Sequence, residues 1–322
     1  MLSRLLLPTL TLDDVLKAQG LTGAEDPEAL CAASASRHYE NFPVLSLAVP
    51  RNRRAATAAV YAFCRAVDDL GDEGSHTKEH RLSLLDAWEE DLLLVWTGTP
   101  KHPIHRALVP VVRGLGIPDQ PFRRLVQANR QDQRHSRYAT FAELREYCCH
   151  SAEPVGRLVL YVLEQFDEER ARLSDATCTA LQLANFWQDV ARDFRDRGRI
   201  YLPLEDLAAY GVSEAEISGS KASDAFRRLM AFEVSRARAL FAEGLTLPDL
   251  LGGRGRWMVA AFSAGGLAVL DAIAGQGYDT LAKRPALSGR RKALLLAGVG
   301  WRLMAGARGV TICPSALRPD GI

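Results

Sequence analysis

Apolar positions in this chain recur every three to four residues over most of its length, and no stretch alternates β-branched and polar residues as a strand would. That rhythm predicts helices near 11–19, 27–39, 52–72, 78–96, 102–114, 119–135, 141–149, 153–165, 175–195, 204–209, 222–243, 255–276 and 290–306. Pro43, Pro50, Gly98-Thr99-Pro100, Gly116-Ile117-Pro118, Gly198, Pro203, Pro248, Gly252-Gly253 and Pro285 punctuate them. No Ser/Gly-rich linker, composition shift or internal repeat divides the chain, so one all-α domain with a shared core is expected over residues 1–322.

Two helices depart from the plain apolar-in, polar-out pattern. On the first, Tyr61, Arg65, Asp68 and Asp72 fall within roughly 60° of one another, while Val60, Phe63, Val67 and Leu70 take the opposite side. On the second, Gln182, Asn185, Asp189 and Asp193 form a stripe of roughly 80°, bordered by Phe186 and Val190, with Trp187 and Phe194 further round. Like charges at this spacing destabilise a helix by roughly 0.2–0.5 kcal/mol per exposed pair, and by more when partly buried. A cation would offset that cost. Two facing acidic stripes with divalent metal between them would do so and would also receive a diphosphate; the alternative is a pair of solvated faces. Large apolar side chains along the edge favour the lining of a cavity. Asp69 lies about 80° off the first stripe and reads as a supporting or surface carboxylate.

A donor set of carboxylate and amide oxygens predicts Mg²⁺. No His/Cys set has zinc spacing; His76 and His80 read as surface residues. The glycine-rich dinucleotide and P-loop patterns are absent, so no nucleotide cofactor is expected, and Ser75-His76-Thr77-Lys78 matches S-x-x-K without its partner motifs.

Composition narrows the class rather than the chemistry. With 48% apolar and 25% charged residues the chain reads as globular, and 40 Lys+Arg against 39 Asp+Glu give no argument for nucleic acid. Six cysteines without a C-x-x-C pair suggest a reduced, cytoplasmic setting. No segment is expected to span a membrane: the longest apolar candidate, Trp257 to Leu270, is short of the required ~18 residues, and Leu5-Leu6-Leu7-Pro8 makes a poor signal peptide. Any membrane contact should be peripheral, at the inner face. Lys283, Arg284, Arg290, Arg291 and Lys292 beside Leu294-Leu295-Leu296 suit weak docking at anionic lipid, against the plainer reading of a core helix with a basic cap.

At these residues the chain resembles the squalene/phytoene synthase family, all-α enzymes that use allylic diphosphates. Tyr61 through Asp72 is similar to the family's first aspartate motif with its preceding Tyr and Arg, and Gln182 through Asp193 to the second. Arg199-Ile200-Tyr201-Leu202-Pro203 and Tyr147 with Val155-Gly156 match two further family segments, in the family's order, so that the resemblance runs from about His38 to Pro285. It implies an isoprenoid (terpenoid) synthase-type helical bundle around a central cavity. By the same resemblance Asp68, Asp72, Asn185, Asp189 and Asp193 would hold Mg²⁺. Tyr61, Arg65, Gln182 and Gln188, with His38 and Asn41 in the segment near the diphosphate, would meet the substrate. Tyr147 would line the cavity beside the reacting carbons, with Phe186 and Trp187 as further aromatic candidates.

Two departures refine the expectation. Condensing members of the family usually carry Arg immediately before the first Asp of the second motif, where this chain has Gln188, and their H-S-x-S segment here reads His38-Tyr39-Glu40-Asn41. Both changes remove or replace groups that bind a diphosphate. Asn41-Phe42-Pro43-Val44, Ser151 to Arg157 and Asn185 to Asp189 look most like the hydroxysqualene synthase branch of bacterial hopanoid pathways. That branch takes presqualene diphosphate, delivered by a partner enzyme, and releases hydroxysqualene. The alternatives are a condensing synthase making presqualene diphosphate, squalene or phytoene, and a non-catalytic relative acting as an assembly factor, for which eroded aspartates would be expected.

Overall fold

Every regular element is a helix, as the apolar period requires, and no strand occurs among the described residues. The computed structural model describes residues 10–38 and 49–313, with the backbone alone at Arg37 and His38. The chain divides into two compact units, one of residues 1–43 and 50–134, the other of residues 44–49 and 135–322.

The first unit holds α1 (Leu12–Ala18), α2 (Pro27–His38), α3 (Arg54–Asp72), α4 (Lys78–Leu93), α5 (Pro103–Leu115) and α6 (Gln120–Arg134). Helix α3 is its axis and packs against α2, α4, α5 and α6. The face expected to be apolar is the one it buries: Val60, Phe63, Val67 and Leu70 are all in the core. Phe63 is fully buried, edge-on to Phe122 at 5.0 Å and 5.6 Å from Trp88. Burying such a ring stabilises by about 1.5–3 kcal/mol, with about 0.5–1.5 kcal/mol more from each well-placed ring pair. Thr77 accepts a hydrogen bond from the His80 N–H and so caps α4, which accounts for the Ser75–Lys78 run. His76 and His80 stack beside it at 4.6 Å, and buried Asp91 fastens the start of α5 by accepting from the Lys101 and His102 N–H groups and pairing with His105 Nδ1.

The second unit contains α7 (Phe141–Ser151), α8 (Glu153–Val162), α9 (Glu168–Arg197), α10 (Leu204–Tyr210), α11 (Glu214–Ile217), α12 (Asp224–Gly244), α13 (Leu247–Leu250), α14 (Gly253–Gly275) and α15 (Gly289–Met304). Its axis is α9, which touches α7, α8, α12 and α14. The helix begins at Glu168 rather than near residue 175, because Asp167 accepts from the Arg170 N–H and caps a first turn whose charged residues resemble a linker. One helix corrects the expectation that nothing here is long and apolar enough to cross a membrane. Helix α14, at 23 residues and mean hydropathy 1.7 over its most apolar window, meets that test by length and composition. In this fold it packs on α9, α12 and α15.

Candidate functional site

The first acidic motif closes α3, and the packing around it explains its odd glycine. Asn129 of α6, itself buried, donates from Nδ2 to Asp68 Oδ1 at 3.3 Å and to the Leu125 carbonyl at 3.1 Å. A Cβ on Gly71 would lie 2.1 Å from Asn129 Oδ1, so only a residue without a side chain lets this amide reach Asp68. The Gly71 carbonyl accepts from Gln133 Nε2 at 2.9 Å and from Arg81, which also bonds the Gly74 carbonyl at 2.8 Å. The end of α3 is thereby held in place from α4 and α6.

Protein packed around the Asp68 carboxyl pushes its pKa up to about 6; the Asn129 hydrogen bond pulls it down, and neighbouring Asp72 raises it further. The side chain still reaches solvent, which tempers the effect of that crowding. Arg65 does not turn to the Asp68–Asp72 edge as the angular stripe implied. Its guanidinium pairs with Asp69 at 2.5 Å and Glu73 at 2.9 Å, along the wall of a cavity of about 350 Å³ that Gln19, Ser34 and His76 also line. Asp69 thus anchors Arg65. Tyr61 is half-buried one turn before Arg65, and burial holds its phenol above the ordinary value.

The second motif lies midway to the end of α9. Leu183, Ala184, Phe186, Trp187 and Val190 are buried, whereas Gln182, Asn185, Asp189 and Asp193 keep contact with solvent along one face. Arg284, from the segment that follows α14, grips Asp189 with two donors, Nε to Oδ1 at 2.5 Å and Nη2 to Oδ2 at 2.9 Å. The same Nη2 donates to Gln188 Oε1 at 3.0 Å, and Gln188 Nε2 donates to the Pro285 carbonyl. Gln188, expected to meet the diphosphate, is buried and uses its amide to hold this segment. Asp189 meets two guanidinium groups, that of Arg284 closely and that of exposed Arg192 at 4.0 Å. Burial, then the charge of Asp189, pushes the Asp193 carboxyl up to about 6, against the pull of Arg197, Arg199 and Arg192.

Beside this stripe stands a group of aromatic rings. Phe186 stacks on Tyr201 at 3.7 Å, and Tyr147 lies 6.2 Å from Phe186, 6.0 Å from Tyr201 and 5.4 Å from Tyr138. Tyr147 is buried on α7, and its neighbour α8 comes close to α9 at Gly156, where a Cβ would meet Ser174 Oγ at 2.3 Å and Cys178 Sγ at 2.5 Å. Trp187 points away and is fully buried in the core. Asn129 and Tyr138 are absent from the residues expected on sequence grounds, and Arg284, expected in a basic lipid-docking patch, stands on Asp189 instead. Asn129 and Gln133 do carry a signal, two amides one turn apart beside an apolar stripe, but Arg284 carries none because its partner is 95 positions away. Of the remaining expected residues, His38 closes α2 and Asn41 lies outside the described residues.

No three His, Cys, Asp or Glu side chains among the described residues close into a ready-made metal cage. The carboxylates come instead as pairs one helical turn apart, and in each pair one member is held above its ordinary pKa partly by the other. That donor set fits Mg²⁺, which takes one or two carboxylates and completes its shell with phosphate oxygens and water.

The family model for squalene/phytoene synthase matches residues 35–291. Phytoene synthase of Arthrospira platensis is 32% identical over 277 residues, covering 80% of this chain and 87% of that protein. Phytoene synthase 2, chloroplastic, of Zea mays is 34% identical over 282 residues, covering 86% and 69%. Among solved structures, squalene synthase HpnC from Alicyclobacillus acidocaldarius superposes with a TM-score of 0.75 at 46% identity, covering 82% of this chain and 96% of that one. A dehydrosqualene synthase in complex with a ligand gives 0.78 at 27% identity, covering 87% and 98%.

Proposed function

This chain belongs to the squalene/phytoene synthase family, enzymes that act on isoprenoid diphosphates, and we propose that its own reaction converts presqualene diphosphate and water to hydroxysqualene and diphosphate. The observation that carries this reading is Gln188. A neutral amide stands where condensing relatives usually place a guanidinium, and it is committed to the backbone of Pro285. Without a guanidinium at position 188, this end of the second motif has Arg284 and, 4.0 Å from Asp189, Arg192, a set that suits one diphosphate better than two.

In the reaction the carbon–oxygen bond breaks heterolytically, its electron pair leaves with the diphosphate, and the cyclopropylcarbinyl cation rearranges. Water then adds its oxygen to the cation and loses a proton. A divalent ion held by Asp68 and Asp72, or by Asn185, Asp189 and Asp193, supplies Lewis-acid neutralisation of the leaving diphosphate when bound. In the second unit Arg284 can donate to a phosphate oxygen once released from Asp189; in the first unit Arg65 can do the same once released from Asp69. Tyr138, Tyr147, Phe186 and Tyr201 offer ring faces to the cation and keep bulk water from it.

A second reading, condensation of two prenyl diphosphates, draws support from the phytoene synthases at 32–34% identity and from the 46% identical structure described as a squalene synthase. Two incubations with Mg²⁺ separate them, product mass being the readout. The first reading expects hydroxysqualene from presqualene diphosphate and almost no product from farnesyl diphosphate. Abundant presqualene diphosphate or squalene from farnesyl diphosphate alone overturns it in favour of the second.

A further inference from the structure

Helix α15 shows a face that the fold leaves uncovered among the described residues. Leu294, Trp301 and Met304 are 75%, 70% and 80% exposed, and with exposed Ala297 they fall within about 80° of one another on the helix. The opposite side carries buried Val299 and half-buried Leu296, which packs against the cluster of Met258 and Ala261 of α14. Exposure of three large apolar side chains in one stripe is unusual for a surface helix with a packed inner face.

Charge singles out the same region. From Thr280 to Cys313 the sequence has Lys283, Arg284, Arg290, Arg291, Lys292, Arg302 and Arg308 and no acidic residue. Arg284 is committed to Asp189. Arg290, Arg291 and Lys292 are exposed at the start of α15, and Arg290, Arg291 and Arg302 project within about 80° of Leu294, flanking the apolar stripe. Apolar side chains with an indole among them, bordered by long cationic ones, form the arrangement that lies along a lipid–water boundary: the apolar tips enter the acyl region and the guanidinium groups reach the headgroups.

We propose that α15 is a docking face for an anionic lipid bilayer. Charge selects this occupant over the others. A second copy meeting the face by a two-fold axis would set cation against cation, Lys292 against Arg302 in an antiparallel pair and Arg290 and Arg291 against themselves where the helices cross at their starts, and brings no acid from this segment. Residues 314–322 would bring Arg318 and a single acid, Asp320, against three clustered cations. The position has a consequence for the site of this unit. Gly289 follows Arg284 by five residues, at most about 18 Å of extended chain, so the docked helix begins next to the segment that grips Asp189. Docking of this face would be the same whichever isoprenoid diphosphate the protein consumes.

Flotation of the full chain with vesicles of equal parts phosphatidylglycerol and phosphatidylcholine, at low and high salt, tests it. Binding at low salt is expected, with little to phosphatidylcholine alone and a marked loss in high salt. Replacing Arg290, Arg291 and Lys292 by Ser should weaken it roughly a hundredfold. Replacing Leu294, Trp301 and Met304 by Ser should also release the protein, with the circular dichroism of the native chain retained. Absence of binding to the anionic vesicles, or binding indifferent to both variants, overturns the proposal. A dimer in sedimentation that the apolar variant dissolves, without vesicle binding, gives the face to a second copy. Binding that arises only after removal of residues 314–322 gives it to that segment; both outcomes also overturn the proposal.

Discussion

Asp193 carries a charge that its surroundings disfavour, and the sign of the resulting pH dependence follows directly. Its pKa is about 6 in the folded protein against an ordinary value of 3.8, so the folded state binds this proton more tightly than the unfolded chain does. Ionisation therefore opposes folding at neutral pH, and stability is regained as the pH falls from about 6 toward the ordinary carboxylate range. The pull of the three nearby arginines is already contained in that value, and partial solvent access screens the penalty to roughly 1–2 kcal/mol. Asp193→Asn keeps the shape and removes the charge. At pH 7.5 it should raise the denaturation midpoint while lowering turnover about a thousandfold, and at pH 4 the stability gain should vanish. A variant less stable than the parent at pH 7.5 would show that the charge is fully compensated, and that the burial argument is wrong. Asp68 follows the same logic more weakly, since its side chain reaches solvent and Asn129 donates to it.

At the scale of elements, the axial helices owe their positions to close approaches that need small residues. Helix α8 can lie against α9 only because Gly156 presents no side chain to Ser174 and Cys178. Gly156→Ala places a Cβ where Ser174 Oγ and Cys178 Sγ now sit, so both side chains must leave their rotamers or α8 must move away from α9. A loss of about 1–3 kcal/mol is expected in urea denaturation, the range typical of overpacking. Turnover should also fall, because α7, the helix that carries Tyr147, packs on α8. A neutral substitution would mean that the helices separate without strain. Most helices could be read in the sequence because the 3.6-residue apolar period survives in long amphipathic segments. The acidic stripes were legible for the same reason, since carboxylates four apart share a face whatever surrounds them. What escaped notice was tertiary. The grip of Arg284 on Asp189 joins residues 95 apart, and the support of Asp68 by Asn129 joins residues 61 apart, so no local pattern marks either. The first turn of α9 was missed because Glu168-Glu169-Arg170 is polar on every side, and only the cap at Asp167 marks it as helix.

Over the whole molecule a formal net charge of +1 conceals an uneven distribution. With the seven cations of residues 280–313 set aside, the remainder has 33 Lys and Arg against 39 Asp and Glu. The long-range field of that remainder repels a diphosphate rather than drawing it in. Affinity for such a ligand must then come from cations local to each acidic pair, Arg65 in the first unit and Arg284 with Arg192, Arg197 and Arg199 in the second, and from divalent metal on the pairs themselves. Turnover should accordingly need Mg²⁺, disappear in excess chelator, and return when Mg²⁺ is restored, with no requirement for zinc. A readout independent of turnover follows from linkage, because a ligand bound by the folded state alone stabilises it by RT ln(1 + [L]/Kd). Mg²⁺ with inorganic diphosphate should raise the melting temperature, and neither should do so fully by itself. Asp72→Asn and Asp189→Asn should each reduce that rise, since each removes one carboxylate from a pair. A melting temperature indifferent to Mg²⁺ and diphosphate, together with full turnover in chelator, would leave both stripes as solvated helix faces and remove the metal from the mechanism.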